Sequence, residues 1–202
     1  AGAATQIVIN LGNNQSATVN TAVAVRPSVI VKDAFGNGVG NVPVTFAVAS
    51  GGGSIILGPL NTTSDGGARL GGWTLGTTAG TNTLTATSPG LTGVTFNATG
   101  TAGPATSIAL NAGDAQVALV GAAVLIPPSV IVKDQFGNLV SGVTVNFVVN
   151  SGGGTVTAAS VATNSSGIAA VGWTLGSLGL NTLNASSGTL AGSPITFRAV
   201  GQ

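Results

Sequence analysis

The sequence contains no cysteine, methionine, tyrosine or histidine, and its four acidic residues are all aspartate, so glutamate is absent too. Without cysteine there is no disulfide framework, no thiolate nucleophile and no thiolate ligand for zinc. The missing histidine removes the commonest other ligand. General acid–base work near neutrality draws on His, Glu, Asp, Lys, Tyr or Cys, and four of these types are missing. No serine has a histidine to activate it. The composition therefore argues against an enzyme and against a bound cofactor. Lacking Cys, Met and Tyr, the chain also resists oxidation, which suits a protein that is not renewed after export.

Charge is scarce as well. Only 4% of the 202 residues are charged, against roughly a quarter in an ordinary soluble domain. Asp33, Asp65, Asp114 and Asp134 stand against Arg26, Lys32, Arg69, Lys133 and Arg198, a formal net charge of +1. So few scattered cations cannot build a face that displaces phosphate counterions, and nucleic acid is not expected as a partner. No apolar run approaches the roughly 20 residues of a membrane-spanning helix, and no charged leader precedes an apolar stretch. Membrane insertion is not expected of this segment; an export signal or anchor would lie outside it.

What is present is repetition. Pro27-Ser-Val-Ile-Val-Lys-Asp33 recurs as Pro128-Ser-Val-Ile-Val-Lys-Asp134, Phe35-Gly-Asn37 as Phe136-Gly-Asn138, and Ser50-Gly-Gly-Gly53 as Ser151-Gly-Gly-Gly154, all displaced by 101 positions. Gly72-Trp-Thr-Leu-Gly76 and Asn82-Thr-Leu84 return as Gly172-Trp-Thr-Leu-Gly176 and Asn181-Thr-Leu183, so small deletions fall between blocks. Extended outward, the match divides the chain into repeats 1–101 and 102–202, boundaries expected of a segment of a longer array. The short junction Ala98–Ala105 predicts a rod with limited bending.

Each repeat reads as strands. Val42, Val44, Phe46 and Val48 alternate with other residues, as do Val143, Val145, Phe147 and Val149, the period of a strand with one face in a core. Similar segments begin near Ile7, Val29, Leu84 and Val94, divided by Gly, Asn, Asp, Ser and Pro. No apolar stripe persists at helical spacing. The expectation is an all-β chain of two tandem immunoglobulin-like β-sandwich domains, about seven antiparallel strands each. Each repeat holds a full strand set, which argues against obligatory strand exchange. Phe35, Phe46, Trp73 and Phe96, with Phe136, Phe147, Trp173 and Phe197, are the expected structural core. For the tryptophans a sugar-stacking platform is the sharper alternative.

The blocks Val-Lys-Asp-x-Phe-Gly-Asn, then alternating Val and Phe, then Ser-Gly-Gly-Gly, then Thr163-x-x-x-Gly167-x-Ala169, together resemble the bacterial Ig-like group 1 repeats of the invasin and intimin type. The resemblance implies an extracellular sandwich used in arrays, as adhesin stalks or parts of larger secreted proteins. It implies contact with a host or matrix surface through domains outside this chain. Arg69, set against Ala169, is expected to disturb local packing in the first repeat.

Candidate sites carry competing readings. Asp33 and Asn37, with Asp134 and Asn138, offer oxygens for calcium, but calcium wants six to eight of them and only one carboxylate is local. A tight turn, with Asp and Asn bonding backbone amides and Phe folded inward, is the favoured reading. Lys32 and Lys133 could cross-link to Asn, yet strand alternation turns Lys32 away from the face of Val29 and Val31. The Gly51–Gly53 run lacks the Lys-Ser/Thr of a phosphate loop and reads as a bend. Sequons stand at Asn14, Asn61, Asn97, Asn164 and Asn184. Outward positions such as Thr144, Asn146 and Val148 make a neutral, lightly apolar face, suited to copies of the chain packing head-to-tail or laterally. An extracellular fibre or adhesin stalk follows as the expected role, with an adhesive or glycan-binding module as the alternative.

Overall fold

Alternating burial runs along the segments rich in β-branched residues. Phe96, Ala98 and Gly100 are buried while Thr95, Asn97 and Thr99 face outward, as a pleated strand over a core requires. The computed structural model describes residues 1–56 and 60–202, and it divides into two compact units, Ala1–Ala102 and Gly103–Gln202. Each is an immunoglobulin-like sandwich.

In the first unit the strands are β1 (Ala4–Leu11), β2 (Gln15–Thr18), β3 (Ser28–Asp33), β4 (Pro43–Ser50), β5 (Ser54–Ile56), β6 (Leu60–Asn61), β7 (Gly67–Arg69), β8 (Gly72–Thr74), β9 (Gly80–Thr87) and β10 (Val94–Thr101). The second unit repeats them as β11 (Ala105–Ala112), β12 (Gln116–Ala118), β13 (Ser129–Asp134), β14 (Thr144–Ser151), β15 (Gly154–Val156), β16 (Ser160–Ala162), β17 (Ile168–Ala170), β18 (Trp173–Leu175), β19 (Gly179–Ser186) and β20 (Ile195–Gly201). One sheet has the order β1-β3-β7 and the facing sheet β2-β10-β9-β4-β6, with a small β5-β8 ladder; the second unit has the same three.

Among the described residues each unit thus has ten strand segments rather than about seven, and one of its strand-to-strand ladders is parallel. The first strand breaks in two. β1 pairs antiparallel with β3, then the chain crosses to the other sheet, where β2 runs parallel to β10. The crossing needs left-handed backbone at Gly12 (φ 85°) and Asn14 (φ 54°). A Cβ at Gly12 would stand 2.8 Å from the Pro27 backbone, so only glycine fits. Gln15 locks the crossing: its Nε2 donates to the carbonyls of Gly12 (2.8 Å) and Val25 (2.7 Å), while Val25 N–H donates to its Oε1 at 2.7 Å. Gln116 makes the same three bonds with Gly113 and Ile126.

Phe46, Trp73 and Phe96 are buried in the first core and Phe147, Trp173 and Phe197 in the second. The Phe46 and Phe96 rings lie 6.3 Å apart, tilted by 40°. Phe35 and Phe136 are not core residues: they are 89% and 39% exposed. The inward row of β3 continues from Val29 and Val31 to Asp33, which is 1% exposed. The chain then reverses through Gly36 at positive φ, which places Phe35 at the turn apex beyond the reach of either sheet. Both tryptophans are fully buried, so neither offers a sugar-stacking face.

The register also corrects the expectation for Arg69. It lies opposite Ser28, as Ala170 lies opposite Ser129, while Ala68 and Ala169 lie buried opposite Val29 and Val130. Arg69 is therefore the counterpart of Ala170 on an exposed position, and packing is undisturbed. Thr62, Gly66 and Ala68 reproduce Thr163, Gly167 and Ala169. Thr62 and Thr163 are buried hydroxyls that donate to the Val39 and Val140 carbonyls, each at 2.7 Å.

The triple glycine and the Asn-Thr-Leu block explain each other. Gly51, Gly52 and Gly53 all have positive φ, and a Cβ at Gly51 would meet the Asn82 side chain at 2.5 Å. Asn82 is fully buried; its Oδ1 accepts from Gly76 N–H at 3.0 Å and its Nδ2 donates to the Gly80 carbonyl at 3.2 Å. Asn181 plugs the second unit likewise, donating to the carbonyls of Ser177 (2.9 Å) and Gly179 (3.0 Å).

Three stability results follow for the second unit, read from its urea unfolding transition. Trp173→Ala costs roughly 3–5 kcal/mol. Trp173→Phe costs much less, because the buried Nε1 has no hydrogen-bond partner to lose. Asn181→Ala costs about 1–3 kcal/mol, since it strands buried backbone groups.

Candidate functional site

The turn between β3 and β4 brings Asp33 and Asn37 together in a geometry built on N–H groups. Asp33 Oδ1 accepts from the backbone N–H of Phe35 and of Asn37, each at 2.9 Å, and Oδ2 accepts from Gly2 N–H at 2.7 Å. Asn37 turns its Nδ2 toward the carboxylate, 3.1 Å from Oδ2. The Gly2 N–H, followed by the Asn37 and Phe35 donors, outweighs desolvation and holds the Asp33 carboxyl at about 2. In the second unit Asp134 accepts from Phe136 (2.8 Å), Asn138 (2.9 Å) and Gly103 (2.9 Å). Burial there pushes the Asp134 carboxyl up, but the Asn138, Gly103 and Phe136 donors prevail and hold it below the usual carboxylate range.

Each of these turns is thus clamped to the opening segment of its own unit, Gly2 or Gly103, through one carboxylate. A nest of N–H donors is a site for an anion, and the anion is the protein's own side chain. Calcium needs oxygens, and here the amide nitrogen of Asn37, not its oxygen, faces the carboxylate. Among the described residues, no three of His, Cys, Asp or Glu gather as a metal cluster.

The other two acids serve the same purpose. Asp65 caps the loop before β7: the Thr63 hydroxyl, then Gly67 N–H, donates to it and lowers its pKa. In the second unit Asn164 takes over this cap, accepting from Ser166 and Ile168 N–H. Asp114 Oδ1 accepts from Arg198 N–H at 2.7 Å, tying the β11–β12 crossing to β20, as Asn13 does with Asn97 at 2.8 Å in the first unit. All four carboxylates of the chain are therefore engaged by the chain's own hydrogen-bond donors.

Lys32 is partly exposed on the face opposite Val29 and Val31, and Lys133 is exposed on the face opposite Val130 and Val132, so neither ammonium reaches an apolar core where a cross-link to Asn would form. A depression of about 260 Å³ in the first unit is lined by Asn10, Ser28 and Arg69 among others, a cation and neutral polar groups without an activated nucleophile. Thr144, Asn146 and Val148 are exposed on the outer face of β14, and Asn14, Asn61, Asn97 and Asn164 are exposed. Sequence reasoning missed the clamps Gln15, Gln116, Asn13 and Asp114. Their signal was recurrence at the 101-residue offset in segments with no apolar pattern to draw notice.

Residues 126–200 match the family model of the bacterial Ig-like domain (group 1). The first unit carries the same blocks in the same register. A search of curated proteins finds no match. Among solved structures, the chain is similar to the Escherichia coli adhesin FdeC, at 18% identity over 98% of this chain and 65% of that one, with a TM-score of 0.56. It is similar to InvD of Yersinia pseudotuberculosis at 17% identity over 93% of this chain and 55% of that one, with a TM-score of 0.57. The chain thus spans less than two thirds of either relative, and the likeness is one of fold.

The Asp33 clamp predicts an acid limit. Its folded pKa of about 2 lies below the unfolded value near 3.9, so its stabilisation is full above about pH 4 and disappears as pH falls through about 2. Thermal melts of Asp33→Asn against wild type should show a lower Tm for the variant at neutral pH, and the gap should close between about pH 4 and 2. A gap that stays constant over that range contradicts the clamp.

Proposed function

We propose that this chain is non-enzymatic building material outside the bacterial cell, a tandem of Ig-like sandwiches in a surface fibre or adhesin stalk that associates with copies of itself. The observation that carries the reading is the use of its acids. Asp33, Asp65, Asp114 and Asp134 each hold a loop or a strand crossing, and no Glu or His exists to do chemistry in their place. What remains outward, beside a few cations, is hydroxyl, amide and apolar surface.

Two further facts support the extracellular setting. The fold is shared with a protein named as an adhesin, and the second unit matches a family of bacterial Ig-like domains. Contact with a host or matrix surface belongs in this reading to parts of a larger protein beyond these two units. Surface composition supports the self-association in this reading. A charged fraction of 4% provides little of the electrostatic repulsion that keeps solitary domains apart.

Sedimentation velocity with negative-stain electron microscopy tests the proposal. Larger species should grow with protein concentration and persist in high salt, because the attraction is apolar and hydroxyl-based and not ionic. Monomers at every concentration and salt level contradict self-association.

A further inference from the structure

The two units provide a comparison within one molecule, since equivalent positions of one fold carry different residues. At the end of the five-stranded sheet where β12, β19 and β20 meet, the register sets Val117 beside Val200 and Val200 beside Leu180. These three are 55%, 43% and 58% exposed. Leu119, just after β12, and Leu178, just before β19, are 67% and 75% exposed. In the first unit the positions of Val117, Leu119, Leu180 and Val200 are Ser16, Thr18, Thr81 and Thr99. The same row there is made of hydroxyls, with Ser16 beside Thr99 and Thr99 beside Thr81. The sandwich folds with either set, so folding alone does not call for the apolar one.

We propose that this outer face of β12, β20 and β19 is the surface through which one copy of the chain binds a second copy. The inference rests on the self-association reading above and assigns it a place. Area supports it. At these exposures the five side chains present on the order of 500 Å², the size at which an exposed apolar patch marks an interaction site. Two copies meeting patch to patch would bury about 1,000 Å², which reaches the lower bound for a specific interface.

Charge supports the same occupant. None of the five residues is charged. In the next row the exposed Arg198 stands beside Thr182, and Asp114 holds the Arg198 backbone. One cation and one anion therefore border the patch, so a two-fold contact of the patch with itself carries no net like-charge repulsion. The first unit's hydroxyl face keeps water more readily and stays free.

The test transplants the first unit's residues into the second unit of the full chain: Val117→Ser, Leu119→Thr, Leu180→Thr and Val200→Thr together. The fold already accommodates these residues at equivalent positions, and a thermal melt checks that the Tm is retained. Sedimentation equilibrium should show wild type associating and the quadruple variant weakened at least about tenfold. A correctly folded variant that associates as tightly as wild type overturns this surface but leaves self-association standing. A wild type that stays monomeric overturns both, assigning the patch to some other occupant. The reciprocal graft, Ser16→Val, Thr18→Leu, Thr81→Leu and Thr99→Val, should create a second contact and drive assembly beyond pairs; unchanged stoichiometry contradicts the assignment.

Discussion

Backbone N–H and C=O groups at the ends of a β-sandwich have no neighbouring strand, and where they are buried they must find partners elsewhere. In this chain single short side chains meet that need. Asp33 and Asp134 gather the turn after β3 or β13 and the opening residues of the unit onto one carboxylate. Gln15 and Gln116 close the sheet crossing, and Asn82 and Asn181 fill the bend formed by three consecutive glycines. No disulfide adds to these clamps, since the chain has no cysteine.

That constraint accounts for the chemical character of the protein. With four acids and no histidine, each carboxylate of the chain accepts a hydrogen bond from a backbone N–H of its own unit. A low charge count is tolerable for a molecule whose surface is meant to meet other surfaces. It would be a liability for one that must stay solitary. The difference between the units sharpens the point. One outer sheet face carries Ser16, Thr81 and Thr99, and its counterpart carries Val117, Leu180 and Val200, over cores that bury the same aromatic residues.

The strands were legible because period-two burial is local, and the two-unit division was legible because whole blocks recur. Phe35 misled because hydrophobicity stands in for burial only while a strand continues; alternation itself already placed Asp33 in the row of Val29 and Val31. Arg69 misled because the first unit has one residue more before its tryptophan, and only strand register shows that Ala68, not Arg69, matches Ala169. The glutamine and asparagine clamps escaped notice because their partners lie across turns and sheets, where no local pattern reaches. The apolar patch escaped because Val117, Leu180 and Val200 are distant in sequence and meet only through pairing.

Loop carboxylates that only hold the backbone leave the stability of the fold indifferent to divalent cations. Calorimetric unfolding of the chain in excess chelator and again in millimolar calcium reads this out, because any ion bound by the native state alone must raise its stability. One Tm is expected in both solutions; a calcium-dependent rise that Asp33→Asn or Asp134→Asn abolishes would show that these carboxylates hold an ion as well as the backbone.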